Sequence, residues 1–149
     1  MLVHQHKLQS RIPRKKLYSL FEMEPKVAFE QYRGWKQYTP KTIEASAEIK
    51  KILAKVLGID VLRIDSCILH FIQGDVPGHR DRMSTGTYAI PLRFSKTGFF
   101  FIEEQVAYFK KGYCLKFSDY WYHGISNDYC SKIILITADT KPLPRKKKS

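Results

Sequence analysis

Leu62-Arg63-Ile64-Asp65-Ser66-Cys67-Ile68-Leu69-His70-Phe71-Ile72, closed by Gln73-Gly74-Asp75, decides how the chain folds. The run carries Ile64, Cys67, Ile68, Leu69 and Phe71 and ends on a turn signal, which reads as a strand rather than a helix. The same pattern recurs downstream. Strands are predicted at Thr87–Phe94, Gly98–Ile102, Val106–Phe109, Tyr113–Phe117 and Ile133–Ala138, with short turns at Ser95–Thr97, Lys110–Gly112 and Ser126–Cys130. No βαβ alternation and no internal repeat interrupts the series. Many short, evenly spaced strands point to a β-sandwich or jelly roll.

Upstream the period changes. Between 40 and 57, Ile43, Ala47 and Ala54 keep helical spacing, and Ile49, Ile52, Leu53, Val56 and Leu57 fill the apolar side. Thr39 suits the N-cap, Pro40 the first turn, and Gly58 the residue that ends the helix. Such an amphipathic helix covers one face of a sheet. Residues 17–39 hold a dense aromatic set (Tyr18, Phe21, Phe29, Tyr32, Trp35, Tyr38) broken by Pro25 and Gly34, expected as short strands or irregular segments packed on the body. A base-stacking platform is the alternative for such a set. Residues 1–16, basic and without period, read as a flexible arm, with His4 and His6 as a solvated pair. Residues 141–149 read as a basic tail. The expected organisation is one domain over 17–140 between two basic ends, mainly β with an N-terminal helix.

Composition bounds the function. The chain has 149 residues, is 44% hydrophobic and 13% aromatic, and is long enough to bury a core. No apolar run reaches a membrane span, and Met1–Lys7 lacks the apolar core of a signal peptide, so the expected setting is intracellular, cytoplasmic and membrane-free. Cys67, Cys114 and Cys130 are odd in number and form no C-x-x-C pair, so all three read as structural rather than as disulfide or zinc cysteines. Lys and Arg total 26 against 14 acidic residues, a formal +12. Arg14-Lys15-Lys16 and Arg145-Lys146-Lys147-Lys148 account for seven of those charges. Such a surplus fits nucleic acid or an acidic protein partner, and it fits solvated basic ends equally well.

The chemistry-bearing residues lie just beyond the opening strand. In Gly74-Asp75-Val76-Pro77-Gly78-His79-Arg80-Asp81-Arg82, His79 and Asp81 are two apart, which on a strand puts both on one face. His123, about forty residues later in Phe117-Ser118-Asp119-Tyr120-Trp121-Tyr122-His123, supplies a third donor. Two imidazoles and one carboxylate are the donor set that holds Fe(II) on one face and leaves positions open. The bland reading is a surface ion pair of Asp81 with Arg80 or Arg82, and a packed histidine at 123. His70 faces the same question, as a satisfied strand histidine or a residue turned to the site.

His79-Arg80-Asp81, Ala89-Ile90-Pro91-Leu92, Lys111-Gly112-Tyr113-Cys114-Leu115-Lys116-Phe117-Ser118-Asp119, His123 and Lys132-to-Thr140 follow one another in a recognisable order. Over roughly residues 60–142 the chain resembles the Fe(II)/2-oxoglutarate-dependent dioxygenases, and most closely the aspartyl/asparaginyl β-hydroxylase-like branch. Gly112, Phe117, Asp119 and His123 match that branch's Phe-Asp-Asp motif before the distal histidine, with Ser118 in place of one aspartate. The resemblance implies a double-stranded β-helix (jelly roll, cupin-like), Fe(II) held by His79, Asp81 and His123, and 2-oxoglutarate and O2 as co-substrates. It implies oxidative decarboxylation of 2-oxoglutarate coupled to hydrogen abstraction from a substrate C–H. Lys132 stands about where the family places the arginine that binds the distal carboxylate. Alternation then puts Lys132, Ile134 and Ile136 on the inner face. Thr85-Gly86-Thr87-Tyr88 replaces a stretch that often carries a 2-oxoglutarate-binding histidine, leaving Thr85 or Tyr88 to donate a hydroxyl. Asp81 is present although some members of the branch lack the metal carboxylate.

Three functions follow. The first is a hydroxylase of a protein or peptide side chain, with Arg80, Arg82 and Arg93 attracting an acidic target. The second is the same chemistry on a nucleic-acid base, the basic ends following phosphates. The third is a catalytically silent, basic jelly-roll binding module.

Overall fold

The structure is a computed structural model that describes residues 1–30, 36–38, 43–81, 86–128 and 131–143, without the side chains of 36–38 and 43–46. Among the described residues, ten strands form two antiparallel sheets. In chain order they are β1 (Val3–Lys7), β2 (Lys36–Tyr38), β3 (Ile64–Gln73), β4 (Val76–His79), β5 (Gly86–Arg93), β6 (Phe99–Ile102), β7 (Gln105–Tyr108), β8 (Tyr113–Phe117), β9 (His123–Ser126) and β10 (Lys132–Thr140). The long sheet runs β1-β8-β5-β10-β3-β2 and the short one β4-β9-β6-β7. This is the jelly-roll architecture expected from the strand spacing.

The helices α1 (Arg14–Phe21), α2 (Pro25–Glu30) and α3 (Ile43–Leu57) cover the outer face of the long sheet. That sheet is therefore buried on both faces, and its central strands read as nearly continuous apolar runs. Along β10, Ile134, Ile136 and Ala138 pack toward the helices with Leu17, Phe21, Ile49 and Leu53. Ile133 and Leu135 point the other way, into a second core with Phe100, Ile125, Val76 and Phe117 between the sheets. The period of two assigns every β10 side chain to one layer or the other.

Gly58 ends α3 as expected. Its φ is +72°, and its N–H and that of Ile59 both reach the Ala54 carbonyl. Gly74 makes the β3–β4 turn at φ +80°. Thr39 and Pro40, the expected start of the helix, lie outside the described residues, as do Tyr32, Trp35, Cys130 and the Arg145–Lys148 cluster.

Three expectations change. Residues 3–7, read as part of a flexible arm, form β1 and pair with β8 from Val3↔Phe117 to Lys7↔Tyr113. A polar strand at a sheet edge needs few apolar residues, so periodicity did not reveal it. His6 is accordingly tied down: its Nε2–H donates to the Leu57 carbonyl at 2.7 Å, and its ring meets Tyr88 edge-on. Residues 14–21 and 25–30 are short helices, where the end of the arm and then, from residue 17, strands or irregular segments were expected. Neither is long enough to declare a period. Among the described residues, no helix is long and apolar enough to cross a membrane. Cys67 and Cys114 are buried and unpaired by disulfide, and burial pushes each thiol up to about 12, which fits their reading as small apolar core residues.

Candidate metal centre

His79 closes β4 and His123 opens β9, and the two strands pair so that these residues stand directly opposite each other. The rings lie 4.5 Å apart between centroids, tilted by 54°. Each ring is held by its own backbone: Nδ1–H of His79 donates to the Pro77 carbonyl at 2.8 Å, and that of His123 to the Trp121 carbonyl at 2.7 Å. A carbonyl can only accept, so the proton is fixed on Nδ1 and the Nε2 lone pair is left for a cation. Asp81 Oδ2 sits 3.5 Å from Nε2 of His79 and 3.4 Å from Nε2 of His123. The three donor atoms all lie within 4.8 Å of one another.

The route to that geometry differs from the expected one. Asp81 is not on a strand: β4 ends at His79, so the alternation argument does not place its carboxylate. Its N–H donates to the Asp119 carbonyl at 2.9 Å, which pins it against the loop that leads into His123. That loop is fastened at its other side. Glu103 N–H donates to the Tyr122 carbonyl at 2.7 Å, and the Glu103 carboxylate accepts from Tyr122 N–H at 3.1 Å.

Two glycines make room for the histidine pair. A Cβ on Gly124 would come 2.6 Å from the Val76 carbonyl oxygen and 2.5 Å from the Phe101 ring. One on Gly78 would run into the Tyr122 ring. Each glycine adjoins a histidine of the pair, so the close approach of β4 to β9 depends on the absence of side chains there.

The donors differ in exposure. His123 is 6% exposed, clamped by the Phe100 and Phe117 rings, whereas the Asp81 side chain is 52% exposed. Burial holds the His123 imidazole below its ordinary range, partly offset by the Trp121 carbonyl. Burial thus favours the neutral imidazole, the form that ligates metals. The donor set fits Fe(II): two oriented imidazole nitrogens, one carboxylate, and an open side.

The triad borders a cavity of about 290 Å³ between the sheets, at the small end for a ligand site. Its apolar lining includes Ile72, Val76, Ala89, Phe100, Ile125 and Leu135. The long sheet contributes the polar groups His70, Thr87, Thr137 and Asp139, and Asp119 adds another carboxylate. Nε2 of His70 is 2.8 Å from the Thr137 hydroxyl, and burial brings this imidazole down to about 4. Asp139 accepts hydroxyl hydrogens from Thr87 at 2.7 Å and Ser66 at 3.1 Å, and burial raises its carboxyl.

Of the residues expected to bind co-substrate and substrate, none that the structure describes lines the cavity. Lys132 shares the face of Ile134 and Ile136 as expected, but that face packs against helices. Its ammonium lies 5.2 Å from the Phe29 ring and does not line the cavity. Tyr88 turns the same way, toward His6 and Lys116, because its neighbours Thr87 and Ala89 are the ones that face inward. Arg80 reaches the Glu103 carboxylate at 3.6 Å. Arg93 is exposed and makes its charge felt at Tyr18 of α1, on the far face of the long sheet. Thr85 and Arg82 lie outside the described residues. Among the described lining residues there is no Lys or Arg. His70 is both things the sequence offered, hydrogen-bonded and turned to the cavity. Thr87, Thr137 and Asp139 were missed; on β10, Thr137 and Asp139 share the parity of Ile133 and Leu135, but the sequence does not say which parity faces inward.

No protein-family model matches the chain, and no curated protein matches it in sequence. Solved structures do match. The viral collagen prolyl hydroxylase from Paramecium Bursaria Chlorella virus-1, solved as its 2OG complex, aligns over 95% of this chain and 97% of its own, with a TM-score of 0.58 at 13% identity. A prolyl-4-hydroxylase from Pseudomonas putida aligns over 95% and 93%, with a TM-score of 0.53 at 12% identity. At such identity the likeness is one of fold: the chain shares the fold of these prolyl hydroxylases. Both are prolyl hydroxylases, so the expected aspartyl/asparaginyl branch gains no support from them.

Proposed function

We propose that the protein is an Fe(II)- and 2-oxoglutarate-dependent oxygenase that hydroxylates a side chain of a protein or peptide. The observation that carries this reading is the convergence of two backbone-fixed imidazoles and one carboxylate at the edge of a cavity between the sheets, within a fold shared with such enzymes. His79, Asp81 and His123 would hold the metal. Iron would couple dioxygen to both substrates, one oxygen atom entering the C–H bond and the other the oxo acid, which leaves as succinate and carbon dioxide.

The chain's own part is positioning. The Pro77 and Trp121 carbonyls keep both rings in the ligating tautomer, and Phe100 and Phe117 keep water from the buried side of His123. In the loop into His123, Tyr120, Trp121 and Tyr122 are exposed and offer a substrate an aromatic surface. The prolyl hydroxylases of like fold support a peptide target. The prolyl hydroxylase neighbours lend no support to a preference for Asp or Asn, and Arg80 and Arg93, expected to attract an acidic target, do not line the cavity. The nucleic-acid reading gains nothing from Arg14-Lys15-Lys16, which lie on α1 behind the long sheet.

The test is turnover of 2-oxoglutarate to succinate with Fe(II) and O2, in the wild type and in Asp81→Ala. Release that depends on Asp81 supports the reading. Release unaffected by Asp81→Ala, or none under any condition while Fe(II) binds, contradicts it.

A further inference from the structure

The cavity's polar wall shows how a co-substrate's far end would be read. The inference rests on the oxygenase reading above. An oxo acid chelated at the metal extends a second polar end into the cavity, and the lining must meet it with hydrogen-bond donors. Asp119 and Asp139 are carboxylates and repel an anion when ionised. The Thr87 hydroxyl hydrogen is committed to Asp139. Lys132, the residue that the resemblance assigns to this task, faces the helices.

Among the described lining residues there remains the His70–Thr137 pair, at 2.8 Å on adjacent antiparallel strands of the long sheet. Both side chains line the cavity, and His70 is nine-tenths buried or more. The two tautomers of the pair are not equivalent. When Nε2–H of His70 donates to Thr137 Oγ1, the threonine hydroxyl hydrogen is left to point at a ligand. When threonine donates to Nε2, its oxygen presents lone pairs, which an approaching carboxylate rejects.

We propose that the Thr137 hydroxyl, oriented by His70, receives the distal end of the oxo acid through a neutral hydrogen bond in place of an ion pair. His70 is the positioning residue and Thr137 the one that touches ligand. Burial holds His70 uncharged at neutral pH, in keeping with a neutral site. A neutral donor discriminates far less than a guanidinium or ammonium between a carboxylate and an uncharged amide. The cavity should therefore accept 2-oxo acids whose distal end carries no charge.

The experiment is anaerobic binding of 2-oxoglutarate and of its distal amide, 2-oxoglutaramate, to the Fe(II)-loaded protein, read by the visible metal-to-ligand charge-transfer band. The two dissociation constants should agree within about tenfold, the span of one ordinary hydrogen bond. Thr137→Val should weaken both by about three- to tenfold, and Thr137→Ser, which keeps the hydroxyl, should restore them. A preference for the carboxylate of a hundredfold or more, or Thr137→Val binding both acids like the wild type, overturns this inference alone. If the wild type binds Fe(II) yet shows no band with either acid, the oxo-acid reading itself falls and takes this inference with it.

Discussion

The two walls of the cavity are built by the same strand alternation but announce themselves differently. The short-sheet wall carries His79 and His123, placed opposite each other by the β4–β9 pairing. The long-sheet wall carries His70, Thr87, Thr137 and Asp139, each an ordinary residue in an apolar strand. The first wall is specified by residue type, since histidine and aspartate at such spacing invite a chemical reading. The second is specified by parity. A shift of one residue turns Lys132 toward the cavity and Ile133 toward the helices, and nothing in the local composition forbids it.

Breaking the short-sheet wall should have the largest effect. His123→Ala or His79→Ala removes a donor outright and should lower Fe(II) affinity by more than the ~10–100-fold typical of outer partners, measured by anaerobic titration. Retained affinity would mean that the histidines do not bind metal.

The long-sheet wall should reveal itself through pH. His70 has its pKa held at about 4 in the folded protein, below the ordinary 6.5, so the unfolded chain takes up a proton first. Stability should therefore fall as pH drops from about 7 to 4, by on the order of 3 kcal/mol at most. Urea unfolding of the metal-free protein measures this, and His70→Gln should flatten the slope. An equal slope in the variant would mean that other groups carry the acid sensitivity.

Gly124→Ala sharpens the comparison from the side of packing. Its Cβ would press on the Val76 carbonyl of the facing strand, costing about 1–3 kcal/mol and spreading the histidine pair. A drop in both melting temperature and Fe(II) affinity is expected; neither changing would contradict the close β4–β9 approach. Lys132→Met should do least. It removes a cation–aromatic contact with Phe29 worth about 0.5–1 kcal/mol and should leave 2-oxoglutarate binding unchanged. A steep rise in the 2-oxoglutarate requirement would restore Lys132 to the anchor role.

Much of the jelly roll could be read from the chain because its central strands are long and apolar, as in Ile133–Ile136 and Ala89–Leu92. Gly58 and Gly74 marked their turns for the same reason that they adopt positive φ. What escaped was short or polar. β1 is an edge strand with one buried residue, Val3, and β4 contains both a proline and a glycine. In the site, His79, Asp81 and His123 were legible as a donor set. The direction of Lys132 and Tyr88 was not, because a buried two-faced strand offers no polar side by which to fix its parity. The loop partners were equally hidden: Glu103 binds Arg80 and Tyr122 only because the β6–β7 turn meets the loop before His123.

The most direct test of the metal centre is anaerobic Fe(II) titration of the metal-free protein beside His123→Ala, followed by isothermal calorimetry. Saturable binding of one Fe(II) per chain is expected in the wild type, and its loss in the variant. Failure of the wild type to bind Fe(II), or equal binding by His123→Ala, would contradict it.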